Sequence, residues 1–203
     1  MLENTAHNLF KSQGYLHVKE LVDADLSKFF THVLMRQQVV EEPHQDNQVP
    51  DCLSTMDHEV MFETLAEKLW PALEQVTGLS LLPTYAYARL YGNGNSLAIH
   101  RDREECEVSV TIQLGRSHHY AWPIWVSGNR FDLGEGDGII YKGCDLDHWR
   151  TKCEGPNGYY SGQVFLHYVN ADGPYANKAG DVSTRKVQNG LFIKNRNWAL
   201  DNK

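Results

Sequence analysis

The chain has 203 residues, 41% of them hydrophobic and 22% charged, which is the composition of an ordinary soluble globular protein with length enough for one full core. Its net charge of −7 argues against a phosphate-backbone partner, and no apolar run is long enough to span a bilayer, so neither nucleic acid nor membrane is expected. Four cysteines without a C-x-x-C pair, and an N-terminus without a signal-peptide pattern, read as free thiols in a reducing cytoplasm.

In chain order, residues 2–40 read as helix, strand, helix. Gly14 breaks the first helix, Tyr15 to Val18 is a short strand, and Asp23 or Asp25 caps a helix through Leu26, Phe29, Phe30, Val33 and Leu34. Glu41 to Ser54 carries Pro43, Asn47 and Pro50 and reads as a loop long enough to cover a site and to order on ligand binding. A helix follows from about Asp57 to Val76, with a kink or break expected at Pro71. From Leu81 the pattern changes to short strands. Tyr85, Tyr87, Arg89 and Tyr91 share one strand face, and Val108, Val110, Ile112 and Leu114 alternate with Glu107, Ser109, Thr111 and Gln113. Strands also read at Tyr120 to Val126, Ile139 to Tyr141 and Gln163 to Val169, between turns at Gly92 to Asn95 and Ser127 to Arg130. Helices followed by many short strands predict an α+β, mainly β fold in one domain. Residues 1–80 form a helical buttress, 81–170 a sandwich or jelly-roll core, and 171–203 a C-terminal extension. That extension carries +3 against −10 for the rest, compatible with its packing back on an acidic body.

The chemistry centres on His100-Arg101-Asp102. In an extended segment His100 and Asp102 project from one face, and a histidine from a distant strand would complete two nitrogens and a carboxylate around an Fe(II) with an open face. His148 is the candidate third ligand, and His167, inside an apolar strand, competes with it as a ligand or a hydrogen-bonded partner. A kinase catalytic loop is rejected, because no Asn follows at the required spacing. Cys144 and Cys153 flank His148 as a zinc site might, but zinc wants a closed fourth ligand. His118 and His119 are adjacent, which suits a loop tip better than a metal pair.

Several stretches, in this order, resemble the Fe(II)/2-oxoglutarate-dependent dioxygenases, in particular their prolyl-hydroxylase-like branch. They are Gly14 to Val18, Tyr91-Gly92-Asn93-Gly94, His100-Arg101-Asp102, Val108 to Leu114, Trp122-Pro123-Ile124, Gly134 to Tyr141, His148 and Gln163 to Val169. The resemblance covers roughly residues 8–170 and implies a double-stranded β-helix in which His100, Asp102 and His148 hold iron. It implies 2-oxoglutarate as cosubstrate, O₂ as oxidant, and release of succinate and CO₂ as a C–H bond is hydroxylated. The chain departs from the family where a basic residue usually follows the distal histidine, since Asn157, Gly158 and Tyr159 stand there. Arg150, on the face of His148 if that segment is extended, becomes the expected anchor for the far carboxylate, against the alternative of an ion pair with Asp145 or Asp147. Arg89 is the second choice, and Tyr91 and Gln113 are expected to line the cosubstrate pocket. The substrate is expected to be a free amino acid, a peptidyl side chain or a small metabolite. The rival readings are a non-catalytic metal-binding jelly roll and a cupin-type oxygenase that does not use 2-oxoglutarate.

Overall fold

A computed structural model describes residues 2–40 and 46–180. The first helix, α1 (Leu2–Gln13), ends where Gly14 takes φ +80°, a conformation that side chains rarely adopt. Strand β1 (Tyr15–Val18) leads to α2 (Ala24–Val40), whose N-terminus is capped by Asp23, with its Oδ1 accepting from Leu26 N–H at 2.9 Å. A strand that the sequence reading missed, β2 (Ser54–Asp57), precedes α3 (Val60–Thr77). Of the kink or break expected at Pro71, the break does not occur, and α3 runs through it. Pro71 sits on the exposed side, and Phe62, Leu65, Leu69 and Leu73 bury the opposite stripe, so packing holds the helix across the lost hydrogen bond.

The remaining strands are β3 (Leu81–Gly92), β4 (Leu97–His100), β5 (Val108–Arg116), β6 (Ile124–Val126), β7 (Asn129–Phe131), β8 (Gly138–Lys142), β9 (His148–Arg150) and β10 (Tyr160–Asn170). Residues 120–123, expected as the start of a strand, are irregular, and only Ile124–Val126 pair. The strands form two antiparallel sheets, a six-stranded one in the order β1-β8-β5-β10-β3-β2 and a four-stranded one in the order β4-β9-β6-β7. The chain is thus a jelly roll of mainly β structure with helices on one side. The N-terminal part supplies two edge strands, β1 and β2, to the large sheet as well as the helices.

Alternation in the large sheet divides its residues between two environments. Ala86, Ala88, Leu90, Val110, Ile112, Leu114, Val164 and Leu166 face α1, α2 and α3 and form the main core with Phe10, Phe30, Leu34, Phe62 and Leu73. The alternate residues face the small sheet, and the strand register lines them up in rows. Ser109 lies opposite both His167 and Tyr141, Thr111 opposite Phe165 and Ile139, and Gln163 opposite Gln113 and Arg89. These rows are buried and, apart from Phe165 and Ile139, polar, and they form the wall on which the site is built. After β10, the segment to Gly180 returns over the body, where Lys178 Nζ meets Glu105 at 2.9 Å and Glu104 at 3.1 Å. The other basic residues of the C-terminal extension lie outside the described residues. Among the described residues, no helix is long and apolar enough to cross a membrane.

Candidate metal centre

Strand pairing brings the two histidines together. β4 and β9 are antiparallel neighbours with His100 directly opposite His148, and the ring centroids are 4.1 Å apart. His100 Nδ1 lies 2.9 Å from the Ala98 carbonyl oxygen and His148 Nδ1 lies 3.0 Å from that of Leu146. A carbonyl can only accept, so both Nδ1 atoms carry a proton, and in the neutral imidazole that leaves each Nε2 as a free lone pair. Those two lone pairs face Asp102 Oδ1, at 3.7 Å from His100 and 3.3 Å from His148. Three such atoms within 4.8 Å of one another repel unless a cation, a proton or a metal ion, lies among them. Adjacent ligands of an octahedral ion with ~2.1 Å bonds lie about 3 Å apart, so the observed gaps are near what such an ion needs.

Asp102 arrives by a different route from the one the sequence suggested. β4 ends at His100, so Asp102 lies beyond the strand and side-chain alternation does not place it. Its backbone N–H donates to the Gly143 carbonyl at 2.9 Å, and Ser109 Oγ donates to its Oδ2 at 2.6 Å, which leaves Oδ1 for the histidines. A Cβ at Gly143 would run into the Asp102 carboxylate and the Ser109 hydroxyl, so the close approach requires glycine there. Burial would raise the Asp102 pKa, but His148, His167 and the Ser109 hydroxyl together outweigh it and hold the carboxyl at about 2. Burial, then the neighbouring His148, lowers the pKa of His100, which favours the neutral, ligating form.

Beside the triad lies a cleft of about 500 Å³, lined by His100, Asp102, His167, Tyr85, Tyr87 and Arg89 on the barrel side and by Asp46 to Gln48 from the loop. The loop before β2 therefore does form part of the cleft wall, although residues 41–45 lie outside the described residues.

The two arginines differ in their partners. Arg89 Nε and Nη2 both donate to Asp46 Oδ2, at 2.9 and 2.5 Å, and Nη1 donates to the Tyr91 hydroxyl at 2.7 Å. Arg150, two residues past His148 on the extended β9, is 2% exposed. Its Nη1 donates to the Trp122 carbonyl at 2.7 Å and its Nη2 to Gln163 Oε1 at 2.9 Å, while its Nε has no partner. No carboxylate among the described residues pairs with Arg150. The alternative of a pair with Asp145 or Asp147 is not formed, since the Arg150 guanidinium goes to Trp122 and Gln163 and Asp147 pairs with Arg101 at 2.7 Å. Burial pushes the Arg150 pKa down to about 10, which still leaves a cation in an apolar surround.

Arg89 lines this cleft, whereas Arg150, Tyr91 and Gln113 do not. The Tyr91 hydroxyl is taken by Arg89, and its ring packs on Trp122 with centroids 5.0 Å apart. Gln113 is fully engaged, donating to the Gly115 and Gly162 carbonyls and accepting from Ser161 and Gln163, so it fixes the glutamine that orients Arg150. Asp102, Cys106 and His167 also have ligand atoms within 4.8 Å of one another, but burial pushes the Cys106 thiol well up, so it is a protonated and poor ligand. Cys144 and Cys153 join no such group among the described residues. Ser109 and Gly143 are the contributors that sequence reasoning did not place, whereas His167, weighed there as a rival ligand or a hydrogen-bonded partner, lies 3.0 Å from the Ser109 hydroxyl. Ser109 and His167 share a register row, a fact that no local pattern carries.

No protein-family model matches the sequence, and no curated protein sequence matches it. Solved structures do match. A Pseudomonas putida prolyl-4-hydroxylase is 16% identical with a TM-score of 0.63, over 82% of this chain and 98% of that one. The nogalamycin-biosynthesis epimerase SnoN, described as non-heme and alpha-ketoglutarate dependent, is 14% identical at 0.66, over 84% and 83%. HygX from Streptomyces hygroscopicus, solved with nickel and 2-oxoglutarate, is 13% identical at 0.60, over 81% and 86%. The fold is that of the 2-oxoglutarate/Fe(II) oxygenases. At these identities the likeness carries the architecture, and the chemistry has to be argued from the residues above.

Proposed function

We propose that this chain is an Fe(II)- and 2-oxoglutarate-dependent oxygenase acting on a C–H bond of an amino acid, peptide or small polar metabolite. The observation that carries the reading is the pair of bare Nε2 atoms and one carboxylate oxygen, each oriented by its own backbone or hydroxyl contact toward a common point. Iron with 2-oxoglutarate and O₂ would supply oxidative decarboxylation to succinate and CO₂ coupled to oxidation of the substrate. The chain's own residues do the rest. His100, Asp102 and His148 hold the metal from one side, and Ser109 keeps Asp102 from turning.

Arg150 anchors the far carboxylate of 2-oxoglutarate. It stands two residues from His148 along an extended strand, a rise of about 6.6 Å, on the scale of a five-carbon dicarboxylate. It is a buried cation with no anion of its own, and a dianionic ligand would supply one. Arg89 is the weaker choice because Asp46 already neutralises it. The Asp46 segment, tied down by that pair, excludes water from the cleft and orders further when ligand is bound.

Hydroxylation is the proposed outcome, and product analysis separates it from epimerisation, which SnoN performs on the same fold. The test is succinate formation from 2-oxoglutarate with added Fe(II), without substrate and then against an amino-acid and peptide panel. A chain that neither binds 2-oxoglutarate nor forms succinate would return the jelly roll to a metal-binding or cupin-type role.

A further inference from the structure

His167 stands in the cleft wall beside the triad, 3% exposed, and its bonding can be settled by counting protons. Ser109 has one hydroxyl hydrogen. Its Oγ lies 2.6 Å from Asp102 Oδ2, 3.3 Å from the Cys106 carbonyl and 3.0 Å from His167 Nδ1. The carboxylate and the carbonyl can only accept, so the hydrogen goes to one of them, and the short approach to the ionised carboxylate takes it. Ser109 therefore has none left for His167, and His167 Nδ1 must be the donor to Ser109 Oγ. A neutral imidazole has one proton, so Nε2 is a bare acceptor. It is buried and has no hydrogen-bond partner.

The ring cannot readily turn to relieve this. It lies against Tyr85 at 4.6 Å between centroids and Tyr87 at 5.7 Å with planes 19° apart, and Ser109 tethers its other nitrogen. The ring is 3% exposed, and such burial disfavours its charged form. Leaving a buried acceptor unpaired is destabilising, and an apolar side chain at this position would avoid that loss.

We infer that His167 Nε2 is a substrate-recognition acceptor, which selects substrates carrying a hydroxyl or amine hydrogen over apolar or methylated analogues. The inference rests on the oxygenase reading only in calling the bound molecule a substrate. Tyr85 and Tyr87 give such a molecule a flat wall, and Arg89 and the Asp46 segment close the far side of the same cleft. His167 acts by positioning, next to the metal ligands and not among them.

The test uses the full chain loaded with Zn(II), a diamagnetic ion, and 2-oxoglutarate. Histidine imidazoles are read by ¹⁵N NMR, with His167 assigned by its loss in His167→Phe. The expected spectrum shows His167 protonated at Nδ1 and bare at Nε2. The Nε2 signal should move on adding members of a panel (L-serine, L-lysine, ethanolamine and a Gly-Ser dipeptide) and stay still with counterparts in which every hydroxyl and amine hydrogen is replaced by methyl. With Fe(II), His167→Phe should lower product formed per succinate about tenfold, the equivalent of one hydrogen bond, and His167→Gln, whose amide oxygen can accept, should recover part of it. A proton found on Nε2, an Nε2 signal that shifts on zinc binding as a metal ligand's would, or no discrimination between donor-bearing and methylated probes overturns the inference. Absence of succinate under every condition sinks the oxygenase reading instead, and leaves the NMR result to decide the acceptor.

Discussion

The two faces of the large sheet are made of alternate residues of the same strands, yet they do opposite work. On β5, Val110, Ile112 and Leu114 meet the helices in an apolar core that any similar volume would fill. Ser109, Thr111 and Gln113, one residue out of phase, face the small sheet and commit nearly every polar atom to a named partner. The outer face sets stability through burial, which is non-directional. The inner face is held by hydrogen bonds, which are directional, and keeps Arg150 buried without an anion among the described residues. A sheet built this way can lose its chemistry without losing its fold.

The largest test of that separation is Asp102→Ala. Zinc or iron affinity, measured by competition with a chelator, should fall by more than about 100-fold, beyond what loss of a partner outside the ligand set typically costs. The circular dichroism spectrum should be unchanged, because the outer face is untouched. Loss of the fold along with the metal would break the comparison.

Arg150→Ala comes next. Removing one member of a buried charge pair costs roughly 3–5 kcal/mol, so titration should show 2-oxoglutarate affinity reduced on the order of a few hundredfold or more. Arg150→Lys should recover only part, since a point charge lacks the planar fork. Arg89→Ala is the control, and a larger loss there than in Arg150→Ala would move the anchor to Arg89.

A neighbouring pair on β5 sharpens the contrast directly. Denaturant titration of Ile112→Ala should show a loss of about 2–5 kcal/mol from the cavity left among the helices. Thr111→Val keeps the shape and removes only the contact with the Tyr141 hydroxyl, at 3.2 Å, so about 0.5–1.5 kcal/mol is expected. Equal losses would mean that the inner face also carries the fold.

The smallest effect concerns Asp137, which ties the turn before β8 to the segment after β1. Burial would raise its pKa, but the Glu20 and Gly134 N–H groups and His17 outweigh that and lower it. A carboxyl whose folded pKa lies below its unfolded value of about 3.9 stabilises the fold above that pH and loses the contribution as pH falls through the folded value. Melting curves from pH 6 downward should therefore decline more steeply in wild type than in Asp137→Asn. Parallel curves would show that Asp137 contributes nothing to acid stability.

Much of this was legible in the sequence because period-2 alternation is a local property. The strands around Tyr85 to Tyr91, Val108 to Leu114 and Gln163 to Val169 form where they were expected, and the extended Arg150 shares the inward face of His148. β2 was missed because Ser54-Thr55-Met56-Asp57 is too short to show alternation and pairs only because β3 offers it an edge. The Pro71 break failed because tertiary burial on the opposite stripe outweighs one missing hydrogen bond.

By itself, then, the sequence determined the jelly-roll class and the residues able to ligate a metal, because strand periodicity and ligand chemistry are written residue by residue. Which way each strand faced, which carbonyls fixed the histidine tautomers, and how Asp102 reached the site from beyond its strand were decided only by the tertiary structure. The same holds for the arginines. Arg89 and Arg150 are the same residue type on inward-facing strand positions, and only the fold gives one of them Asp46 and leaves the other without an anion. Partnership between charges depends on distance and burial, which local sequence does not contain.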